Sequence, residues 1–143
     1  LGADVIIPYR EVDFREVVMA ETEGQGVDIV WDSIGIETIN DSIRCAKTQG
    51  ICVLFGSVSG QVNSIAPLDL GAAGSVLFTR SHVEHFTRNA EEVRLRADAI
   101  FSGISEGWLE IAIDRILPFD EFSEAQRALE SRETKGKVLL SLS

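Results

Sequence analysis

Three short apolar runs, each closing in small polar residues, set the frame of this chain. They are Gly26-Val27-Asp28-Ile29-Val30-Trp31-Asp32-Ser33-Ile34-Gly35, then residues 50–60 from Gly50 to Gly60, then Ser75-Val76-Leu77-Phe78-Thr79-Arg80. Runs of this length and content read as strands buried on both faces of a parallel sheet. Around them lie helical patterns with recognisable starts. Asp13 with Glu16 predicts an N-cap for a helix that carries Phe14, Val17 and Val18 on one face, and Gly24 and Gly26 end that unit. Thr38 with Asp41 predicts a second helix with Ile39, Ile43 and Ala46 inward, stopped by Gly50. Asn89 and Glu92 cap a longer one with Val93, Ala97, Ile100, Phe101 and Ile104 inward.

The remaining segments are shorter. Val5-Ile6-Ile7 predicts a strand closed by Pro8, strands are expected at 28–32, 51–55 and 76–79, and residues 56–75 predict a loop with a short turn through Pro67 and Gly74. Leu109, Ile111 and Ile113 alternate, which predicts a strand over 109–114. Ser123 with Gln126 starts a short helix over Ala125 to Leu129, and Val138 to Leu142 predicts a last strand. Strands alternating with helices call for βαβ units and an α/β fold with a parallel sheet.

Such sheets bind ligands at the carboxyl ends of their strands, which is where Ser33, Gly56-Ser57 and Thr79-Arg80 fall. Yet no Gly-x-Gly-x-x-Gly occurs in the 143 residues, so part of a nucleotide site is readable without its phosphate cradle.

Composition narrows the partners. With 143 residues and 45% hydrophobic content the chain can bury one good core. A formal charge of -10 argues against nucleic acid and against docking on an anionic membrane surface. No apolar stretch reaches the length of a membrane span, and no signal-like segment opens the sequence, so the cytoplasm is the expected location. Cys45 lies in a helical pattern and Cys52 in a strand, with no CxxC and no histidine at ligand spacing, so neither a bridge nor a metal site is expected. His82 and His85 read as a surface loop pair, and no Gly-x-Ser-x-Gly elbow supports a hydrolase triad.

Five segments in order carry a family resemblance. They are Leu1-Gly2-Ala3-Asp4-Val5-Ile6-Ile7-Pro8-Tyr9-Arg10-Glu11, residues 26–35, residues 50–60, residues 75–81, and Leu129-Glu130 with Arg132, Thr134, Gly136-Lys137 and Leu139. Together they resemble the C-terminal part of the zinc-less, zeta-crystallin-like quinone oxidoreductases of the medium-chain dehydrogenase/reductase superfamily. The departure is Ser81, where the family commonly has proline.

The resemblance implies a partial Rossmann domain that lacks its first two strands and its glycine-rich loop. Residues 1–143 would then be a partial NAD(P)-binding domain with a return segment from about residue 109 onward. It implies NADPH as cofactor and a quinone or related electrophile as hydride acceptor, without a metal. Residue by residue, Tyr9 matches the tyrosine beside the adenosine ribose and its 2′-phosphate. Ser33 matches the serine on the adenine side. Phe55, Gly56 and Ser57 match the turn along the nicotinamide ribose and ring. Phe78, Thr79 and Arg80 match the strand end whose backbone meets the carboxamide, and Arg132 matches a late arginine reaching back to the cofactor, with Gly136 close by.

Taken singly, Ser33 and Ser57 read better as turn bonding, Phe55 as core filling and Arg132 as a solvated helix end. Their order within the five segments favours the cofactor reading for Tyr9, Phe55 to Ser57 and Thr79-Arg80, while Ser33 and Arg132 stay balanced. No catalytic residue is assigned. The resemblance also implies a homodimer through the edge of the strand at 76–79. The alternative is a non-catalytic remnant of the family that keeps only this association; an in-frame catalytic domain upstream in the DNA would separate the two. A Rossmann-like methyltransferase gets no support from the Thr79-Arg80 and Leu129 to Lys137 segments.

Overall fold

The computed structural model describes residues 2–131 and 134–142. Contacts divide it into two units, Gly2–Arg88 and the stretch from Asn89 onward.

In the first unit, helix α1 spans Phe14–Glu21, strand β1 Val27–Asp32, helix α2 Ile39–Cys45, strand β2 Ala46–Leu54, helix α3 Pro67–Ala72 and strand β3 Leu77–Arg80. The three strands form a parallel sheet in the order β1-β2-β3, the order and sense expected of consecutive strands in one half of a doubly wound sheet. Asp13 caps α1 as its side chain predicts, accepting from the Arg15 and Glu16 amides at 2.9 and 3.2 Å. The core is Ile39, Ile43, Ala46, Cys52, Leu54 and Val76, with Val62, Ile65, Leu70 and Phe78 packed against it.

Several expectations are corrected. Val5-Ile6-Ile7 forms no strand; Ile6 is 85% exposed, and among the described residues no strand lies beside this segment to take up its amides. Only the carboxyl half of β2 is buried on both faces. β1 and β3 are the two edges of a three-stranded sheet, and this leaves Trp31 66% and Leu77 61% exposed. Gly50 does not end α2. The chain leaves the helix at Ala46 in extended conformation, and the irregularity in the β1–β2 register between Val27 and Ile29 absorbs the extra residues. Pro67 opens a helix rather than a turn, as a proline at the first helical position can.

In the second unit, helix α4 spans Ala90–Glu106, strand β4 Ile113–Pro118, helix α5 Phe122–Glu130 and strand β5 Lys137–Ser141. The Asn89 side chain caps α4 through the Glu92 amide at 2.9 Å, and Gly107 closes it in the left-handed conformation at φ 81°. The predicted inward face of α4 is not inward. Phe101 is 66% exposed, and Val93, Ile100 and Ile104 are exposed too, because no strand or helix of the same unit packs closely along them.

β4 begins four residues later than the alternation at 109–114 predicts, because its extent follows its partner. β4 and β5 pair in parallel, from Ile113 opposite Lys137 to Pro118 opposite Ser141, with α5 as the crossover. The last strand therefore has its partner, β4, within this chain. α5 starts at Phe122, so Ser123 sits inside it and Glu121 at its cap, and Ala125 and Ala128 form its buried face.

Candidate functional site

The site grows from the carboxyl ends of the three parallel strands. At the end of β1, the buried Asp32 carboxylate holds the following turn. Its Oδ1 accepts the Ile34 and Gly35 amides at 2.8 and 2.9 Å, and its Oδ2 accepts the Thr38 and Ser42 hydroxyls at 2.7 Å each. Four donors on one buried carboxylate satisfy both its oxygens. Thr38 was expected to cap α2; its hydroxyl goes to Asp32 instead, and the first turn of α2 receives no side-chain cap. This hub is absent from the sequence reading. Its signal was Thr38 and Ser42 four apart, on one face of a helix that follows a strand ending in aspartate.

The ends of β1 and β2 are then laced together. The Phe55 amide donates to the Asp32 carbonyl at 2.9 Å, the Val58 amide to the Ser33 carbonyl at 3.3 Å, and the Ser59 amide and hydroxyl both to the Ile34 carbonyl at 2.7 and 2.8 Å. Ser59 also accepts the Glu37 amide at 3.1 Å. The two backbones come so close that a Cβ at Gly56 would collide with the Ser33 carbonyl group. The resemblance places Gly56 along the nicotinamide, where the missing Cβ would let a flat ring approach. The nearer cause of a glycine here is the neighbouring strand end.

Beside this turn, β2 and β3 leave a cleft of about 420 Å³ that brings together Gly56, Ser57, Phe78 and Arg80 of the expected residues, along with Gln61, Asn63 and His82. The Arg80 guanidinium is held by its own surroundings, with Nη1 donating to the Ser81 carbonyl at 2.6 Å and to the Leu54 carbonyl at 3.4 Å. A separate hollow of about 230 Å³ brings Tyr9 together with Ser33, Asp32, Phe14 and Trp31. Arg10 lies 5.8 Å over the Tyr9 ring. Phe55 belongs to neither; half exposed, it meets Trp31 edge-on with ring centroids 6.1 Å apart. Thr79 is exposed opposite Val53 in the ladder and lines neither hollow. Arg132 lies outside the described residues. In the second unit, Gly136 serves the backbone: a Cβ there would meet the Ala112 carbonyl oxygen at 2.5 Å, and the Lys137 amide donates to that same oxygen at 2.8 Å.

A protein-family profile described as zinc-binding dehydrogenase matches residues 1–140. The chain belongs to the zinc-binding dehydrogenase family. Within it the chain falls among the zinc-less quinone oxidoreductases of the medium-chain superfamily, and it matches their C-terminal part. It is 34% identical to 2-haloacrylate reductase from a Burkholderia species over 141 residues, 98% of this chain and 42% of that protein. A mycobacterial structure complexed with NADPH superposes with a TM-score of 0.90 at 38% identity, covering 97% of this chain and 44% of the other. Escherichia coli quinone oxidoreductase complexed with NADPH gives a TM-score of 0.90 at 33% identity, covering 97% and 43%. The chain thus spans less than half the length of these family members.

The family's description mentions zinc, and the donors here do not fit that ion. Zinc takes four converging nitrogen, sulfur or carboxylate ligands, and among the described residues no three His, Cys, Asp or Glu side chains come together. Cys45 and Cys52 are both buried in the core, and burial pushes each thiol up to about 11. Few thiolates exist at pH 8 under such conditions, so an aromatic disulfide reagent should react with the folded chain at least about 100-fold more slowly than with the chain in denaturant. Equal rates would show that this core is open.

Proposed function

We propose that this chain is the cofactor-binding portion of an NADPH-dependent reductase that passes hydride to a quinone or a related electrophile. The observation that carries this reading is the cleft at the carboxyl ends of β2 and β3, lined by Gly56, Ser57, Phe78 and Arg80, on a fold shared with two NADPH complexes. Bound NADPH would supply the hydride from its dihydronicotinamide ring. The chain's own residues fit the two ends of such a molecule. Ser57 and the Phe78–Arg80 backbone would orient the nicotinamide ring and carboxamide, with the half-exposed Phe55 flanking the ring. Tyr9 and Ser33 would take the adenosine side. Hydride transfer of this kind depends on positioning the donor against the acceptor rather than on a strong base.

No residues for a pyrophosphate cradle are found in the sequence, and the net charge of -10 opposes a polyanion. Calorimetry should accordingly find a millimolar or weaker dissociation constant for NADPH, on the order of -4 kcal/mol. The chain by itself should oxidise NADPH with a quinone no faster than the uncatalysed mixture. Turnover that disappears in Arg80→Ala would contradict this division of labour.

The same reading includes a cytoplasmic protein that pairs with a second copy through β3. Both cysteines are free, and no helix among the described residues is long and apolar enough to cross a membrane. β3 pairs with β2 on one side only, and residues 75–79 carry no charge or proline to discourage a second strand. Light scattering at micromolar concentration should report a dimer or larger. Leu77→Pro, which removes a ladder donor, should shift it to monomer or aggregate. A well-folded monomeric wild type with an equally stable proline variant would contradict the pairing.

A further inference from the structure

The chain has three asparagines, Asn40, Asn63 and Asn89, and the fold treats them differently. Asn40 lies inside α2, and the amide of the next residue, Asp41, donates to the Thr38 carbonyl at 3.0 Å. Asn89 caps α4; its side chain accepts the Glu92 amide at 2.9 Å, and Ala90 after it opens the helix. Asn63 has neither restraint. It lies between β2 and α3 in a stretch without regular structure, and both it and Ser64 are exposed. Among the described residues, neither the Asn63 side chain nor the Ser64 amide makes a hydrogen bond. Val62 and Ile65 on either side pack against the core, and the Asn63–Ser64 pair between them lines the cleft at the ends of β2 and β3.

Asparagine is among the chemically least durable side chains, and its neighbours decide how fast it reacts. The Ser64 amide nitrogen can close a five-membered ring on the Asn63 side-chain carbonyl. Once that amide has given its proton to hydroxide, its lone pair attacks Cγ. The bond from Cγ to the side-chain nitrogen then breaks, and ammonia leaves with a proton taken from water. Water next adds to either carbonyl of the cyclic imide, and one ring C–N bond breaks. The product is aspartate at position 63 or its β-linked isomer, each with a carboxylate in place of the amide and no change of oxidation state. An amide held in a helical hydrogen bond, or a side chain committed as a cap, is withheld from this reaction. An unbonded amide on a small, unbranched serine is open to it.

We propose that Asn63 is a site of spontaneous deamidation, selective over Asn40 and Asn89, through which the cleft gains a carboxylate as the protein ages. No Asp or Glu lines that cleft in the unmodified chain, whereas Arg80 does. The conversion therefore puts the first negative side chain among its walls, a change that works against any anionic ligand held there. The chemistry is the same whatever the cleft binds.

The full chain is incubated at mildly alkaline pH and body temperature, then digested, and the peptides holding the three asparagines are followed by mass spectrometry. The Asn63 peptide should gain the amide-to-acid mass difference at least about tenfold faster than the Asn40 and Asn89 peptides, whose sites react only after local opening of their helices. It should separate into two forms, aspartate and isoaspartate, and its rate should rise with hydroxide concentration. Ser64→Ile should slow the gain, because a β-branched neighbour shields the attacking nitrogen, and Asn63→Gln should abolish it. Guanidinium chloride at an unfolding concentration should speed Asn40 and Asn89 strongly and Asn63 by less than about fivefold. Equal rates at the three sites in the folded chain, or an Asn63 rate that unfolding raises by more than that, overturns the assignment.

Discussion

Asp32→Ala should lower the unfolding free energy by on the order of 4 kcal/mol, the largest single-residue effect expected in the chain. The substitution strands the Thr38 and Ser42 hydroxyls and the Ile34 and Gly35 amides around an empty volume. Hydrogen bonds to a charged acceptor contribute about 1.5–3 kcal/mol each, and buried donors left unpaired add their desolvation penalty. Small domains have only about 5–15 kcal/mol in total. Asp32→Asn keeps one carbonyl acceptor but places an NH₂ group against hydroxyls, so it should fall between alanine and wild type. Chemical denaturation measures all three. A loss below about 1 kcal/mol for alanine would mean that the turn after β1 is held by something else.

Gly56→Ala should destabilise by about 3 kcal/mol, near the upper end for overpacking. The added methyl group meets backbone, the Ser33 carbonyl, rather than a side chain that could swing aside. Relief would require the Ser57–Gly60 turn to pull away from β1 and to lose its bonds from Val58 and Ser59. The same substitution separates two causes for this glycine. If it were needed only for the approach of a cofactor ring, the alanine variant would unfold like wild type and differ only in NADPH binding. Unchanged denaturation midpoints would therefore refute the close packing described here.

Local signals hold at some element ends and fail at others, where Thr38 bonds Asp32 and Ser123 lies inside α5. Asp13 and Asn89 cap the helices they precede, and the apolar runs before Ser33, Gly56 and Arg80 became parallel neighbours in the order read. Other failures involve partners far along the chain. Val5-Ile6-Ile7 has strand composition, but a strand exists only as part of a ladder, and none of the described residues pairs with it. The alternation at Leu109, Ile111 and Ile113 was real, yet β5 opposite decided which residues pair.

The site divides in the same way. Gly56, Ser57, Phe78 and Arg80 meet in one cleft because strand ends in a parallel sheet converge. Asp32 sits inside an apolar run with no partner at adjacent positions, and its donors lie 2–10 residues onward. His82 and His85 are exposed, as a surface loop pair should be, and Glu84 lies beside the His82 ring nitrogen.

The central claim is that the carboxyl ends of β1, β2 and β3 hold a nicotinamide cofactor. Its most direct test is a map of backbone amide shifts as NADPH is added to the full chain. Shifts should cluster at Ser33, Phe55 to Ser57 and Phe78 to Arg80, with Tyr9 joining them, and should saturate only in the millimolar range. Shifts confined to other surfaces, or none at tens of millimolar NADPH, would contradict it.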